Sequence, residues 1–198
     1  PGIQMGWYSD GCAIFWKRNR FSVIESGGHE FSQGKQGFAH AILQETETGK
    51  QLAVVATHLK AKQGTKNTAL RQLQANELVE FISGMKREVD RGSLPVILAG
   101  DFNEEVGEGS SVEHVLRSKD KFSSAYDLGD ATLYSTCKIR HENYHQRLID
   151  YIFYTKRLEC IATLAVPKLI DLEEGKLPGV RYPSDHVLIA AKFGLSDP

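Results

Sequence analysis

The sequence predicts an α/β or α+β sandwich, on three observations. Short apolar and β-branched stretches bounded by turn residues recur along most of the chain. One long stretch, Ala69 to Val89, carries the three-and-four spacing of an amphipathic helix. That helix leads into another apolar run, Val96 to Ala99, so strands come both as hairpins and as helix-linked pairs.

A chain of 198 residues, 41% hydrophobic and 25% charged, suits one domain over 1–198 that buries its own core without staples. The formal net charge of -1 excludes a globally basic nucleic-acid binder and leaves only local polyanion contacts. Cys12, Cys137 and Cys160 are scattered and odd in number, and no CxxC occurs. They point to a reducing interior rather than a disulfide framework, and the location expected is the cytoplasm, with the mitochondrion as the alternative. No apolar run has the length of a membrane span, and the first residues lack the n-region and h-region of a secretory leader. Because the chain opens on Pro1 rather than Met, it is expected to be a fragment or a processed form.

Taken in order, residues 1 to 11 read as a loop. CAIFW and FSVIE read as a hairpin about the basic turn Lys17–Arg20, and residues 26 to 36 as a flexible polar loop. GFAHAILQE and QLAVVATHL form a second hairpin across TETGK. In the helix, Leu78, Phe81, Ile82, Met85 and Val89 make the buried stripe, and Gly92 and Pro95 end it. The central strand runs into GDFNEE, and a short helix follows over Ser110 to Arg117, capped by Ser110 or Ser111. Residues 130 to 147 are polar and irregular. IDYIFY and LECIATLAV are strands, 167 to 184 a proline-bearing loop, and VLIAAKF the last strand.

Chemistry collects at strand ends. His58 follows LAVVAT, Asp101 and Asn103 follow the central strand, Asp150 heads DYIFY, and Asp185 and His186 head VLIAAKF. Alone, each is an ordinary turn or surface residue. Gathered at one sheet rim, acidic and imidazole groups make a site for a hard cation with a general base beside it. Such a set suits phosphate-ester hydrolysis, with Mg²⁺ or Mn²⁺ on the carboxylates. Lys60 and Lys62 alternate after His58, and Lys138 and Arg140 repeat the spacing, as cations meeting an anionic substrate would. HENYH, 141 to 145, fits the HExxH pattern of zinc proteases, but it lacks an apolar helical period and precedes a strand. A zinc site there would require the segment to be helical.

SDGCAIFWKRNRF, VATHLKAK, ILAGDFNEE, STCKIR, IDYIFYTKR and YPSDH resemble, in family order and over most of the chain, the endonuclease/exonuclease/phosphatase superfamily, in its nocturnin-like, deadenylase-related branch. The resemblance implies a DNase-I-like fold, a four-layer, two-sheet sandwich with helices outside. It implies that Asp101 and Asn103 hold the nucleophile and transition-state oxygens near Mg²⁺, and that Asp150 helps organise the metal. His58 would contact the scissile phosphate, and His186, oriented by Asp185, would be the base or proton partner. Lys60, Lys62 and Arg140 would meet substrate phosphate. The activity implied is removal of the 2′-phosphate of NADP(H); shortening of poly(A) RNA from its 3′ end is the alternative, and a non-catalytic binding protein on this fold a third. The family's Asn and principal metal-binding Glu lie on strands before the region that starts here, so this chain by itself is expected to bind the metal weakly and to be nearly inactive. Cys137 stands where the family has a bulky aromatic, and Lys62 where an Arg is usual, which would alter nucleotide stacking and phosphate binding.

Overall fold

The computed structural model describes residues 11–87, 94–105, 110–119, 122–126, 130, 132–140, 143–172, 174 and 176–195. Strands β1 (Phe21–Glu30), β2 (Gly37–Glu45) and β3 (Gln51–His58) form an antiparallel meander. Helix α1 (Thr65–Arg87) then carries the chain over to β4 (Val96–Asp101), which lies parallel to β3. Parallel pairing needs such a crossover, and the amphipathic stripe gives the helix a face to bury. After α2 (Ser111–Lys119) come β5 (Ser123–Ser124), β6 (Thr136–Arg140), β7 (Asn143–Arg147), β8 (Asp150–Tyr154), β9 (Leu158–Thr163) and β10 (Ala191–Leu195). The main sheet has the order β1-β2-β3-β4-β8-β5, while β6–β7 and β9–β10 are two-stranded ribbons.

Alternation along the strands sorts the two faces of the main sheet. Phe38, Ile42, Val55, Val96, Leu98, Tyr151 and Phe153 pack with Leu78, Ile82 and Met85 of α1 and Val115 of α2. Ala41, Leu43, Leu52 and Ile97 look the other way, toward Ile14, Trp16 and Phe21. On that reverse face Phe193 of β10 packs at a tilt against Tyr154, and Tyr126 donates to the carbonyls of Leu164 and Ala190. His58, Asp101 and Asp150 have the parity of the reverse face, away from the helices.

Several segments depart from the sequence expectation. Residues 11 to 17 are irregular rather than the first strand of a hairpin; Ile14 and Trp16 instead lid a small apolar cluster. FSVIE continues through SGGHE to Glu30, because pairing of Gly27 with His40 and of Gly28 with Ala39 overrides the weak strand propensity of glycine. A bulge between Val23 and Glu25 keeps the long strand in register. The polar stretch read as irregular contains the β6–β7 hairpin. HENYH therefore has no helix among its described residues, since His145 lies on β7, and His141 and Glu142 are outside the described residues. The last strand starts at Ala191 rather than at Val187, whose amide is taken by the Ser135 carbonyl. Val89 and Gly92 also lie outside the described residues.

Candidate active site

Three adjacent strands deliver the centre. His58 pairs in register with Asp101, and Asp101 with Asp150, so the ends of β3, β4 and β8 line up side by side. Gly100 makes the close approach of β3 and β4 feasible. At φ +150° a Cβ there would lie 1.9 Å from the Thr57 carbonyl oxygen, so no other residue fits. His58 Nε2 stands 3.7 Å from Asp101 Oδ2. Asp101 Oδ1 accepts the Asn103 amide at 2.7 Å, and Asn103, at φ +53°, donates its carboxamide to the Leu59 carbonyl at 3.0 Å. The turn after β4 is thus bonded to the end of β3.

His186 reaches the centre from a different part of the chain. Thr136 of β6 bridges to it, and Ser135 Oγ accepts the amides of Ile149 and Asp150, so the start of β8 and the His186 segment share one support. His186 Nδ1 lies 2.7 Å from Asp150 Oδ2. Asp185 does not orient this ring: its carboxylate takes the Lys138 ammonium, while its carbonyl accepts the Thr136 hydroxyl at 2.7 Å. Neighbouring residues on extended chain face opposite ways, which is why adjacency in sequence did not become contact.

The charges of the cluster oppose one another. Burial, then repulsion from Asp150, raise the Asp101 carboxyl above the ordinary aspartate value. The bond to Asp150 raises the His186 imidazole, outweighing its partial burial. The Lys138 bond lowers Asp185. One ligand atom each from Asp101, Asp150 and His186 lies within 4.8 Å of the others, the one such group among the described residues. Two crowded carboxylates, one of them resisting ionisation, form a donor set that a hard divalent cation would satisfy.

Lys60 is half-buried and Lys62 exposed on the loop after β3, and among the described residues neither forms an ion pair. Arg140 ends β6, and its side chain falls outside the described part. Cys137 is buried with Tyr134, Leu172, Leu177 and Val187, and the Tyr144 hydroxyl meets its sulfur at 2.8 Å. A pocket of about 390 Å³, lined by Cys12, His29, Gln36, Phe38 and His58 among others, opens beside the centre.

Sequence reasoning missed the residues that brace these loops. Arg71 is 1% exposed and donates to Glu104 at 2.8 Å. Glu104 also accepts from Ser110 and from the amides of Ser111 and Val112, holding the start of α2. Glu105 takes Arg147 of β7 at 3.0 Å. The missed signal was periodic: stepping back three, four and seven residues from Leu78 lands on Ala75, Gln74 and Arg71, all buried. Charged and amide side chains in phase with an apolar stripe mark a buried polar network.

The main sheet thus carries helices on one face and, at the rim of the other, a carboxylate–imidazole cluster whose donors suit phosphate-ester chemistry. The sequence matches the endonuclease/exonuclease/phosphatase family over residues 3–186, and the chain belongs to that family. It is 30% identical over 198 residues to Nocturnin of Xenopus laevis, covering 95% of this chain and 50% of that protein. It is 28% identical over 224 residues to a probable CCR4-Not complex 3′-5′-exoribonuclease subunit Ccr4 of Encephalitozoon cuniculi, covering 93% and 44%. The chain therefore spans about half the length of these curated relatives. The human Nocturnin catalytic domain with bound sulfate anion superposes with a TM-score of 0.70 at 25% identity, over 90% of this chain and 61% of that one. ANGEL2, a 2′,3′-cyclic phosphatase, superposes with a TM-score of 0.80 at 21% identity, over 96% and 72%. The fold is the DNase-I-like fold of the family.

Proposed function

We propose that this protein is a divalent-metal-dependent phosphohydrolase that removes the 2′-phosphate of NADP(H), leaving NAD(H). The observation that carries the reading is the convergence of Asp101, Asp150 and His186, with His58 beside Asp101 and the Lys60–Lys62 loop following His58. Mg²⁺ or Mn²⁺, held by Asp101 and Asp150, would supply charge neutralisation on the phosphate.

The chain's own residues account for the rest. His58 and the two lysines bind and orient the phosphate, and Asn103 holds the turn that aims Asp101. Water attacks phosphorus, the bond from phosphorus to the ribose 2′-oxygen breaks, and the leaving oxygen takes up a proton. His186 is the group that moves protons: with Nδ1 on Asp150, its Nε2 is left for water or the leaving oxygen, and the carboxylate makes the ring more basic.

Two features favour a dinucleotide over RNA. The pocket beside His58 has the volume of a small-molecule site rather than the length of a strand-binding groove. The net charge of -1 lacks the basic excess of a chain that tracks nucleic acid. The bound sulfate of the human Nocturnin domain, an anion shaped like phosphate, agrees with phosphate chemistry in the family. The Ccr4 relative, a probable 3′-5′-exoribonuclease subunit, keeps RNA as the competing substrate, for which poly(A) serves as the probe. Phosphate release from NADPH and shortening of poly(A), both with Mg²⁺ and beside an Asp101→Ala control, separate the two. Release from NADPH that the control abolishes supports the reading; shortened RNA beside untouched NADPH overturns the substrate.

A further inference from the structure

We propose that Arg71 and Gln74, one helical turn apart on α1, are positioning residues that set the aim of Lys60 and Lys62. This rests on the reading of those lysines as phosphate contacts. Neither Arg71 nor Gln74 is placed to touch substrate: they are 1% and 0% exposed.

What they hold is the backbone of the loop. Gln74 Oε1 accepts the Lys60 amide at 2.9 Å. Arg71 Nη1 donates to the Lys60 carbonyl at 3.1 Å and to the Lys62 carbonyl at 2.9 Å. Arg71 Nη2 donates to Thr68 Oγ1 at 2.9 Å, and Nε to Glu104 at 2.8 Å. Past the end of β3 the loop has left the ladder, and backbone groups there need partners of some kind. Here they are side chains of α1.

The grip matters because Lys62 sits at φ +78°, a left-handed conformation that lysine adopts only at a cost. Carbonyls bonded on both sides of the intervening Ala61 fix that conformation, and with it the directions in which both lysine stems leave the backbone. Gln74 extends the support by donating to the Gln33 carbonyl at 3.1 Å, in a segment whose Gln36 lines the pocket beside His58. Glu104 compensates the Arg71 charge, so the pair acts through geometry rather than as a cation facing the substrate. A lysine at 71 would keep the charge on Glu104 but has no planar fork to span two carbonyls.

The experiment is titration of the full-length protein, with Mg²⁺ present, by inorganic phosphate, together with NADPH kinetics. Arg71→Lys is expected to weaken phosphate binding and raise KM by about tenfold, the loss of about one charge-assisted hydrogen-bonding set, while kcat and the Mg²⁺ dependence stay within about twofold. Lys60→Gln with Lys62→Gln, added to Arg71→Lys, should cost no more than the lysine changes alone, because misaimed lysines have nothing left to lose. Gln74→Leu, which removes the bonds to the Lys60 amide and the Gln33 carbonyl and leaves the Arg71–Glu104 pair intact, should shift phosphate binding the same way by about threefold and serves if Arg71→Lys does not fold. Equal phosphate binding by wild type and variant, equal losses in kcat and Mg²⁺ dependence, or full additivity with the lysine changes would overturn the positioning role. Phosphate binding by the wild type does not depend on NADPH being the substrate. A wild type that binds no phosphate would overturn the lysine reading itself, and the positioning role with it.

Discussion

The carboxylate side of the site and its imidazole side rest on cores of different size. Asp101 and Asp150 end strands whose neighbours Leu98, Phe102, Tyr151 and Phe153 belong to the large cluster between sheet and helices. His186 precedes Val187, which packs only in the small cluster of Tyr134, Cys137, Leu172 and Leu177, and its segment is tied down by Ser135 and Thr136. Under the proposed function, cation binding would fall to the heavily packed sheet and proton transfer to a lightly packed segment. Amide exchange should report the difference directly, with Ile97 to Ala99 protected to higher free energies than Val187.

The largest effect should come from the carboxylate side. Asp101→Asn is expected to lower phosphohydrolase activity by about 10³-fold or more, measured as phosphate release. The same variant without metal should melt no lower than wild type, since burial and Asp150 make the charged Asp101 costly to fold. Next comes Gly100→Ala, where a methyl group must displace the Thr57 backbone. A loss of roughly 3 kcal/mol or more in urea unfolding is expected, and a loss below about 1 kcal/mol would contradict the close approach of β3 and β4.

The imidazole side is sharpened by pH. Asp150→Asn removes the bond that raises His186, so the acid limb of the activity profile should move to lower pH in whatever activity survives. Asp185→Asn should leave that limb in place, because Lys138 is the partner of Asp185. A large shift with Asp185→Asn would return the orienting role to Asp185. In metal-free protein the raised groups also set the sign of stability against pH. The His186 contribution is fully present below 6.5 and is lost as pH rises through the raised folded value. Asp101 acts in the same direction, since the folded state binds its proton more readily than the unfolded chain. Asp185 acts oppositely: its contribution, present above 3.8, is lost as pH falls through its lowered folded value. Melting temperature in chelator should therefore fall on going from pH 6.5 to alkaline pH, and added Mg²⁺ should reduce the fall. The smallest effect is at Lys62, where Lys62→Gly relieves a left-handed residue. A gain of about 1 kcal/mol in stability with weaker phosphate binding is expected.

Much of this architecture was legible because it is written in local periods. The second hairpin, the α1 stripe and the strand before GDFNEE follow from alternation and helical spacing, and Asp101 and Asp150 stand at the strand ends where the sequence put them, while His186 lies in a loop five residues before β10. What was not legible depends on partners distant in sequence. SGGHE becomes strand only because β2 is beside it, and β6–β7 forms from polar residues that lack an apolar alternation. The bond from His186 to Asp150 spans 36 residues, and no spacing rule distinguishes it from the adjacent Asp185. Arg71 was hidden by its charge, although its phase with Leu78 gave its burial away.

If Asp101 and Asp150 form a divalent-cation site serving phosphate hydrolysis, Mn²⁺ titration of the full-length protein and of its Asp150→Asn variant, followed by electron paramagnetic resonance, reads that site without an activity assay. Saturable Mn²⁺ binding by the wild type that Mg²⁺ displaces is expected, weakened in the variant by about tenfold or more. Equal Mn²⁺ binding by wild type and variant would contradict it.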